Sequence, residues 1–243
     1  ATIFDAAGEE VWWADREGGV CCGRPLKLAG ETDSAHKMMR YNEELFRKHG
    51  ITAAVLKYRM PNGHPEVPTE DALEALRYMR EKYPHKQETQ QVGIMGFSAG
   101  GHLAAATGVG ALAKYLHAQS DPRPDFMLLF YPVITSGEKS HRGSFDNLLG
   151  ADRTEEQSLE WSVERLVDKA TPPALFILSD DDGGVPPQNS TMMYNAMKQA
   201  GIPASLYILP EGGHGWGIKE SFRYRELWQS LTLDWLARIA PEK

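Results

Sequence analysis

The chain has few of the features that mark disulfide-rich, membrane-spanning or nucleic-acid-binding proteins. Its 243 residues include two cysteines, Cys21 and Cys22, which are neighbours and cannot form an ordinary long-range bridge with each other. No apolar run approaches the length of a membrane-spanning helix. The formal net charge is -7, so the chain carries no basic excess for nucleic acid. We therefore expect neither a membrane nor a nucleic acid as partner.

A leader segment is also missing from the sequence as it stands. The chain starts at Ala1 with neither the basic region nor the apolar stretch of a signal peptide. We expect a soluble protein, either cytoplasmic or exported with its signal absent from this chain. The composition, 42% hydrophobic and 24% charged, is that of an ordinary globular protein. The length suits one large α/β domain, and we predict a single domain over residues 1–243.

The pentapeptide at residues 96–100 is the most informative motif of the chain. It reads GFSAG and fits the pattern G-x-S-x-G. An apolar, strand-like segment precedes it at 91–95, and small residues that open a helix follow it at 101–106. Strand, sharp turn and helix form the nucleophile elbow of an α/β-hydrolase, in which glycines allow the strand and the helix to approach closely. The motif predicts that Ser98 is a nucleophile.

The other two members of a catalytic triad are expected downstream, in the order acid and then histidine. Three consecutive aspartates, residues 180–182, follow an apolar strand at 174–179. The second feature is His214, which lies in a glycine-rich loop after the strand at 205–209. We predict His214 as the general base. Asp182 is the favoured acid because it stands three residues before Val185 and Pro186, and Asp181 remains the alternative.

Strand-like and helix-like segments alternate along most of the chain. This alternation predicts a mostly parallel sheet with helices on both faces. We predict strands at 51–56, 91–95, 126–130, 174–179 and 205–209, and helices at 69–82, 154–166, 188–200 and 222–239. The alternation breaks down between residues 134 and 170. We interpret that stretch as a small cap insertion over part of the active-site face.

A tetrahedral intermediate on Ser98 would need hydrogen-bond donors for its oxyanion. The backbone N–H of Ala99, the residue after the nucleophile, is the first candidate. The second would come from the segment after an early strand that ends near residues 20–22, where Gly23 is the candidate and Pro25 has no N–H to offer. Trp216 is assigned to substrate binding by stacking, with a packing role as an equal alternative.

The remaining histidines give no sign of a metal centre. His102 follows the elbow on the first turn of a buried helix, and we interpret it as structural. The others are scattered along the chain without the spacing of metal ligands. We expect a reaction that needs no cofactor.

Several motifs together resemble one family. Residues 95–104, MGFSAGGHLA, resemble the elbow of the esterase/lipase-like α/β-hydrolases, a family that includes bacterial acetyl xylan esterases and feruloyl esterases. The likeness continues in LKYR at 56–59, FYPVI at 130–134, TPP at 171–173 and GGHG at 212–215. The family pattern departs after the early strand, where this chain reads GRPLK at 23–27 in place of a proline and two or three glycines.

The resemblance implies a serine carboxylesterase that removes acetyl or other small acyl groups from xylan or its fragments. It also implies Ser98 as nucleophile, Asp182 as acid, His214 as base and Ala99 as an oxyanion donor. Two alternatives stay open. A peptidase of the prolyl-oligopeptidase type shares the elbow and the triad, and the altered segment 23–27 is compatible with a degenerate hydrolase that binds carbohydrate or a partner without turnover.

Overall fold

A six-stranded sheet lies at the centre of the part of the chain that the structure describes. The structure is a computed structural model and describes residues 46, 48–49, 51–81, 91–111, 123–217 and 219–239, with the backbone alone for 2–5 and 82. The strands are β1 Thr2–Asp5, β2 Thr52–Val55, β3 Val92–Phe97, β4 Met127–Phe130, β5 Ala174–Ser179 and β6 Ala204–Leu209. Their order across the sheet is β2-β1-β3-β4-β5-β6.

Four neighbouring strands, β3 to β6, run parallel, whereas β1 is antiparallel to both β2 and β3. The helices are α1 Glu66–Lys82, α2 Ala99–Gly108, α3 Arg142–Leu149, α4 Glu155–Glu160, α5 Gln188–Gln199 and α6 Arg225–Ile239, with a 3-10 turn at Val163–Leu166. This mostly parallel sheet surrounded by helices confirms the α/β class predicted from the alternation of segments. Strand β1 was not predicted from the sequence.

Helices cover both faces of the sheet, so the central strands β4 and β5 are buried along their whole length. All four residues of β4 and all six of β5 are buried. Along β4, Met127 and Leu129 belong to a cluster with α2 and α5, whereas Leu128 and Phe130 belong to one with the tryptophans of α6. Continuous apolar runs are typical of parallel strands buried on both faces.

The parallel register brings four chain segments together at one edge of the sheet. Phe97, the last residue of β3, pairs with Phe130, the last of β4, and Phe130 pairs with Ile177 of β5. Ile177 in turn pairs with Tyr207 of β6. The residues that follow these four strands therefore meet at their carboxyl ends, which is where ligands bind in open α/β sheets.

The turn from β3 to α2 brings two backbones into close contact. A Cβ atom placed on Gly96 would lie 2.0 Å from the carbonyl oxygen of Gly100. A Cβ atom on Gly101 would lie 2.7 Å from the Cβ of Pro132, beyond the end of β4. Both positions require glycine because nothing larger fits between the strand and the helix.

Several predicted boundaries differ from the structure. Helix α1 begins at Glu66 and not at Thr69, because Pro68 is tolerated within the first helical turn. The single helix predicted at 154–166 is wrong. Two short elements stand there, α4 and the 3-10 turn, separated at Trp161 and Ser162, and helix α3 precedes them. The last helix begins at Arg225, three residues later than predicted.

Replacement of Gly96 by alanine should prevent the elbow from forming. The added methyl group would overlap backbone atoms of α2, and backbone cannot move aside as a flexible side chain can. We expect Gly96→Ala to lower the free energy of unfolding by more than about 4 kcal/mol, measured by urea denaturation. Gly143→Ala is the matched control, because its Cβ would meet only an ordinary contact, 3.7 Å from His141. Equal stability of the two variants would contradict this account of the elbow.

Candidate active site

Ser98 lies at the tip of the elbow in a conformation that non-glycine residues rarely adopt. Its φ is 54° and its ψ is -119°. Hydrogen bonds hold the backbone there: the Ser98 N–H donates to the carbonyl of Phe130, and its carbonyl accepts from the N–H groups of His102 and Val133. Strain of this kind is characteristic of functional sites when the surroundings enforce it. The half-buried Ser98 side chain is therefore fixed at the carboxyl edge of the sheet.

Three side chains form a continuous hydrogen-bonded line at this edge. Ser98 Oγ lies 2.7 Å from His214 Nε2, and His214 Nδ1 lies 2.7 Å from Asp182 Oδ2. A carboxylate can only accept, so we assign the imidazole proton to Nδ1, which leaves Nε2 free to accept the Ser98 hydroxyl proton. The imidazole is 29% exposed, and the carboxylate is fully buried.

The neighbouring aspartates occupy different environments. Oδ1 of Asp182 accepts from the N–H groups of Gly184 and Val185, at 2.9 and 2.8 Å, while its other oxygen faces His214. Asp181 is exposed and accepts from the N–H of Gly213 at 2.8 Å. Backbone N–H groups of residues 213 and 212 hold the pKa of Asp181 below its usual range. The contact with the imidazole therefore belongs to Asp182, and Asp181 braces the histidine loop from outside.

The loop that carries His214 follows β6 and bends sharply. Four of its glycines have positive φ values, 144° at Gly212, 59° at Gly213, 75° at Gly215 and 45° at Gly217. Side chains with a Cβ rarely adopt these angles, so the glycines are needed for the path of the loop. The path turns the His214 side chain back over the ends of β3 and β5.

Tyr131 is a residue of the site that the sequence analysis did not single out. It follows β4 with a φ of 36°, and its hydroxyl accepts from the N–H of Gly217 at 3.0 Å. Its ring meets the His214 imidazole edge to face, with centroids 4.9 Å apart. Tyr131 therefore braces the His214 imidazole and its loop from the side of β4. Its position directly after a strand of the carboxyl edge was the available signal.

The assignment of Trp216 to substrate binding is wrong. The side chain is 2% exposed and stacks on Phe222 with centroids 4.6 Å apart. Its indole N–H donates to Ser179 Oγ at 2.9 Å, at the end of β5. A buried tryptophan with its polar atom satisfied serves packing, which was the alternative interpretation. Trp216 therefore anchors the loop to the end of β5, two residues after His214.

His102 lies one helical turn beyond Ser98 and is buried within α2. Its Nε2 lies 2.9 Å from the carbonyl oxygen of Trp161, to which it must donate, and its ring meets Phe145 edge to face. Burial lowers the pKa of His102, so the neutral ring is favoured. The residue ties α2 to the 134–170 segment, as expected of a structural histidine.

Of the two candidate donors for the oxyanion, Ala99 lies within the described residues and Gly23 does not. Ala99 is the first residue of α2 and is exposed. The first N–H groups of a helix have no partner within it, so the Ala99 N–H is suited to an incoming oxyanion. Gly23 and the strand predicted near residues 20–22 lie outside the described residues.

Two wider properties of the described residues complete the site. No group of three or more histidine, cysteine, aspartate and glutamate side chains in the described ranges is arranged to hold a metal ion. No helix among the same residues is long and apolar enough to cross a membrane. The geometry suits acyl transfer, because a hydroxyl, a base and an orienting acid are already in hydrogen-bond contact.

Comparison with known proteins assigns the chain to a family. The sequence profile of the prolyl oligopeptidase family matches residues 61–242. The chain belongs to this family. Similar proteins include an acetylxylan esterase of Xylanibacter ruminicola, 37% identical over 203 residues, or 81% of this chain and 41% of the relative. An endo-1,4-beta-xylanase B of Butyrivibrio fibrisolvens is 34% identical over 210 residues, or 81% of this chain and 30% of the relative.

A solved structure extends the comparison to three dimensions. The acetyl ester-xyloside bifunctional hydrolase of Caldicellulosiruptor lactoaceticus is 33% identical, with a TM-score of 0.66 over 77% of this chain and 71% of that one. These relatives confirm the α/β-hydrolase fold and the resemblance to acetyl xylan esterases. The chain spans less than half the length of the two curated relatives that it matches.

The buried position of Trp216 predicts a loss of stability when it is truncated. We expect Trp216→Ala to lower the free energy of unfolding by roughly 3–5 kcal/mol, because a large aromatic side chain leaves a cavity. The measurement is urea denaturation, with Leu227→Ala as control because Leu227 is 46% exposed. If Trp216→Ala kept the wild-type stability and raised the KM for p-nitrophenyl acetate, the assignment of Trp216 to substrate binding would be restored.

Proposed function

We propose that the chain is a serine carboxylesterase that hydrolyses small acyl esters, above all acetyl esters of xylan or xylo-oligosaccharides. The observation that carries the proposal is the line from Ser98 through His214 to Asp182, formed at the carboxyl edge of the sheet. The substrate class is taken from the relatives named as an acetylxylan esterase and an acetyl ester-xyloside hydrolase. Residues 1–243 form one domain in this proposal, with 134–170 as its cap, and no cofactor takes part.

The first half of the reaction forms an acyl-enzyme. Ser98 Oγ attacks the ester carbonyl carbon while His214 Nε2 takes the hydroxyl proton. The carbonyl oxygen becomes an oxyanion, which the Ala99 N–H stabilises. When the intermediate collapses, the bond to the sugar oxygen breaks and His214 returns the proton to that oxygen. The sugar leaves as an alcohol, and Ser98 keeps the acyl group.

The second half regenerates the enzyme. Water attacks the acyl carbon and gives a proton to His214, and the bond from the carbon to Ser98 Oγ then breaks. His214 returns the proton to Ser98, and the acid leaves. Asp182 keeps the imidazole in one tautomer and stabilises its charged form in both halves, which its burial and its two backbone hydrogen bonds make possible.

A peptidase is the second candidate, and the family match favours it. The same serine, histidine and aspartate would cleave an amide, with the histidine protonating an amine in place of an alcohol. An acylated dipeptide amide assayed beside the esters tests this candidate directly. Hydrolysis of the amide at a kcat/KM comparable with that of the esters would favour the peptidase.

Hydrolysis of p-nitrophenyl acetate tests the proposal. We expect release of p-nitrophenol by the wild-type chain, and a loss of at least about a thousandfold in kcat for Ser98→Ala, because no other group can take the place of the nucleophile. The assay is then repeated with acetylated xylan, and the acetate released is measured. Circular dichroism of the variant controls for folding.

The outcome separates the esterase from a degenerate hydrolase. Turnover that does not depend on Ser98 would contradict the proposal. Absence of turnover, with no labelling of Ser98 by a fluorophosphonate, would favour a binding protein without catalysis, since labelling requires an activated serine.

The two adjacent aspartates give a matched pair of variants. Asp182→Asn should lower kcat on the order of 10⁴-fold, because an amide there favours the wrong imidazole tautomer. Asp181→Asn keeps an oxygen that can accept from Gly213, so we expect it to retain most of the activity. The measurement is kcat for p-nitrophenyl acetate at neutral pH. A larger loss in Asp181→Asn would overturn the assignment of the acid.

A further inference from the structure

A partly open cavity lies beside the elbow. Its volume is about 100 Å³, and it begins at Ala99, the residue next to the nucleophile. One wall consists of Ala99, His102 and Leu103, which lie on one face of α2. We propose that this cavity is the acyl pocket and that it restricts the enzyme to short, uncharged acyl groups. This inference rests on the proposed esterase function.

The direction of the substrate follows from the position of the base. A tetrahedral carbon on Ser98 carries an oxyanion, the sugar oxygen and the acyl chain. The sugar oxygen must face His214, which protonates it, and the oxyanion must face the Ala99 N–H. The side chains of Ser98, Tyr131 and Asp182 contact His214, and they do not line the cavity. The acyl chain is therefore left with the cavity on the Ala99 side.

The walls of the cavity select against charge. None of the described residues that line it is an aspartate, glutamate, lysine or arginine. His102, the titratable imidazole in the wall, is buried, and burial lowers its pKa, so the neutral ring is favoured. A charged acyl group would lose its water there without gaining an oppositely charged partner, which is strongly unfavourable. The pocket therefore suits a neutral, apolar acyl group.

The size of the cavity sets the length of the acyl group. An apolar cavity of about 150 Å³ can hold benzene, so a cavity of about 100 Å³ is room for about four heavy atoms. An acetyl or propionyl group fits this limit. Longer alkyl chains and the aromatic feruloyl group exceed it.

Fixed contacts keep the walls from giving way. Tyr58 and Met60 line the cavity on either side of Arg59, whose N–H and guanidinium bind Asp71 of α1 at 2.7 and 2.9 Å. Another wall is Trp161, whose carbonyl accepts from His102. These two walls are thus joined by hydrogen bonds to helices beside the sheet, and walls held in place limit the length of an acyl chain better than mobile ones.

Leu148 of α3 lines the cavity and offers a direct test. The next residue, Leu149, is also half-buried and packs against the same core, but it does not line the cavity, so it is a matched control. The experiment measures kcat/KM for p-nitrophenyl acetate, propionate, butyrate and hexanoate, and for methyl ferulate, in the wild-type chain, Leu148→Ala and Leu149→Ala.

We expect wild-type kcat/KM to fall steeply beyond propionate, with no measurable turnover of methyl ferulate. Leu148→Ala should raise the butyrate-to-acetate ratio about tenfold or more, since one methylene in an apolar pocket is worth roughly 10–200-fold. Leu149→Ala should leave that ratio at the wild-type value. If Leu148→Ala folds poorly, Leu148→Phe tests the same wall in the opposite direction, and the propionate-to-acetate ratio should fall.

Two kinds of failure are distinguishable. Suppose that the enzyme hydrolyses p-nitrophenyl acetate through Ser98, but both Leu148 variants keep the wild-type ratios of kcat/KM between acyl lengths. This result would contradict the acyl pocket and leave the proposed function standing. Turnover of methyl ferulate comparable with that of acetate would also overturn the pocket. Absence of any Ser98-dependent ester hydrolysis in the wild-type chain would overturn the proposed function and the pocket with it.

Discussion

The close approach of β3 and α2 is the constraint on which the site depends. Gly96 and Gly101 leave no room for a side chain where the strand, the helix and the segment after β4 meet. Because these backbones touch, the turn between them is forced into the positive φ of Ser98, and the hydroxyl is presented at the edge of the sheet. The same contact starts α2 at Ala99, so one packing contact positions both Ser98 and the first backbone N–H of the helix.

The parallel register carries the remaining groups to the serine. Segments that follow β4, β5 and β6 supply a tyrosine brace, a buried carboxylate and an imidazole at the same edge of the sheet. Three contacts then hold the histidine loop: Asp181 accepts from Gly213, Tyr131 Oη from Gly217, and Ser179 Oγ from Trp216. The position of His214 in the hydrogen-bonded line therefore depends on these three contacts of its loop.

Much of this arrangement could be predicted from the sequence, and the exceptions have physical causes. The elbow and the chain order of Ser98, Asp182 and His214 could be predicted, because each lies in a short motif of apolar strand residues followed by glycines or aspartates. The role of Trp216 could not be predicted, because its burial depends on Phe222 and Ser179, distant in sequence. Tyr131 was missed because a tyrosine carries no local sign of a positive φ. The helix predicted at 154–166 breaks at Trp161, whose carbonyl is bound by His102 from another helix.

The histidine loop has a consequence for how the protein is made. Its glycines with positive φ give it little preference for one shape, and the contacts that shape it come from the ends of β4 and β5. Until those strands have docked, the imidazole has no fixed place relative to the serine. Ser98 and His214 can therefore come into hydrogen-bond contact only after the sheet has assembled, so the contact between these two side chains reports the docking of four strands.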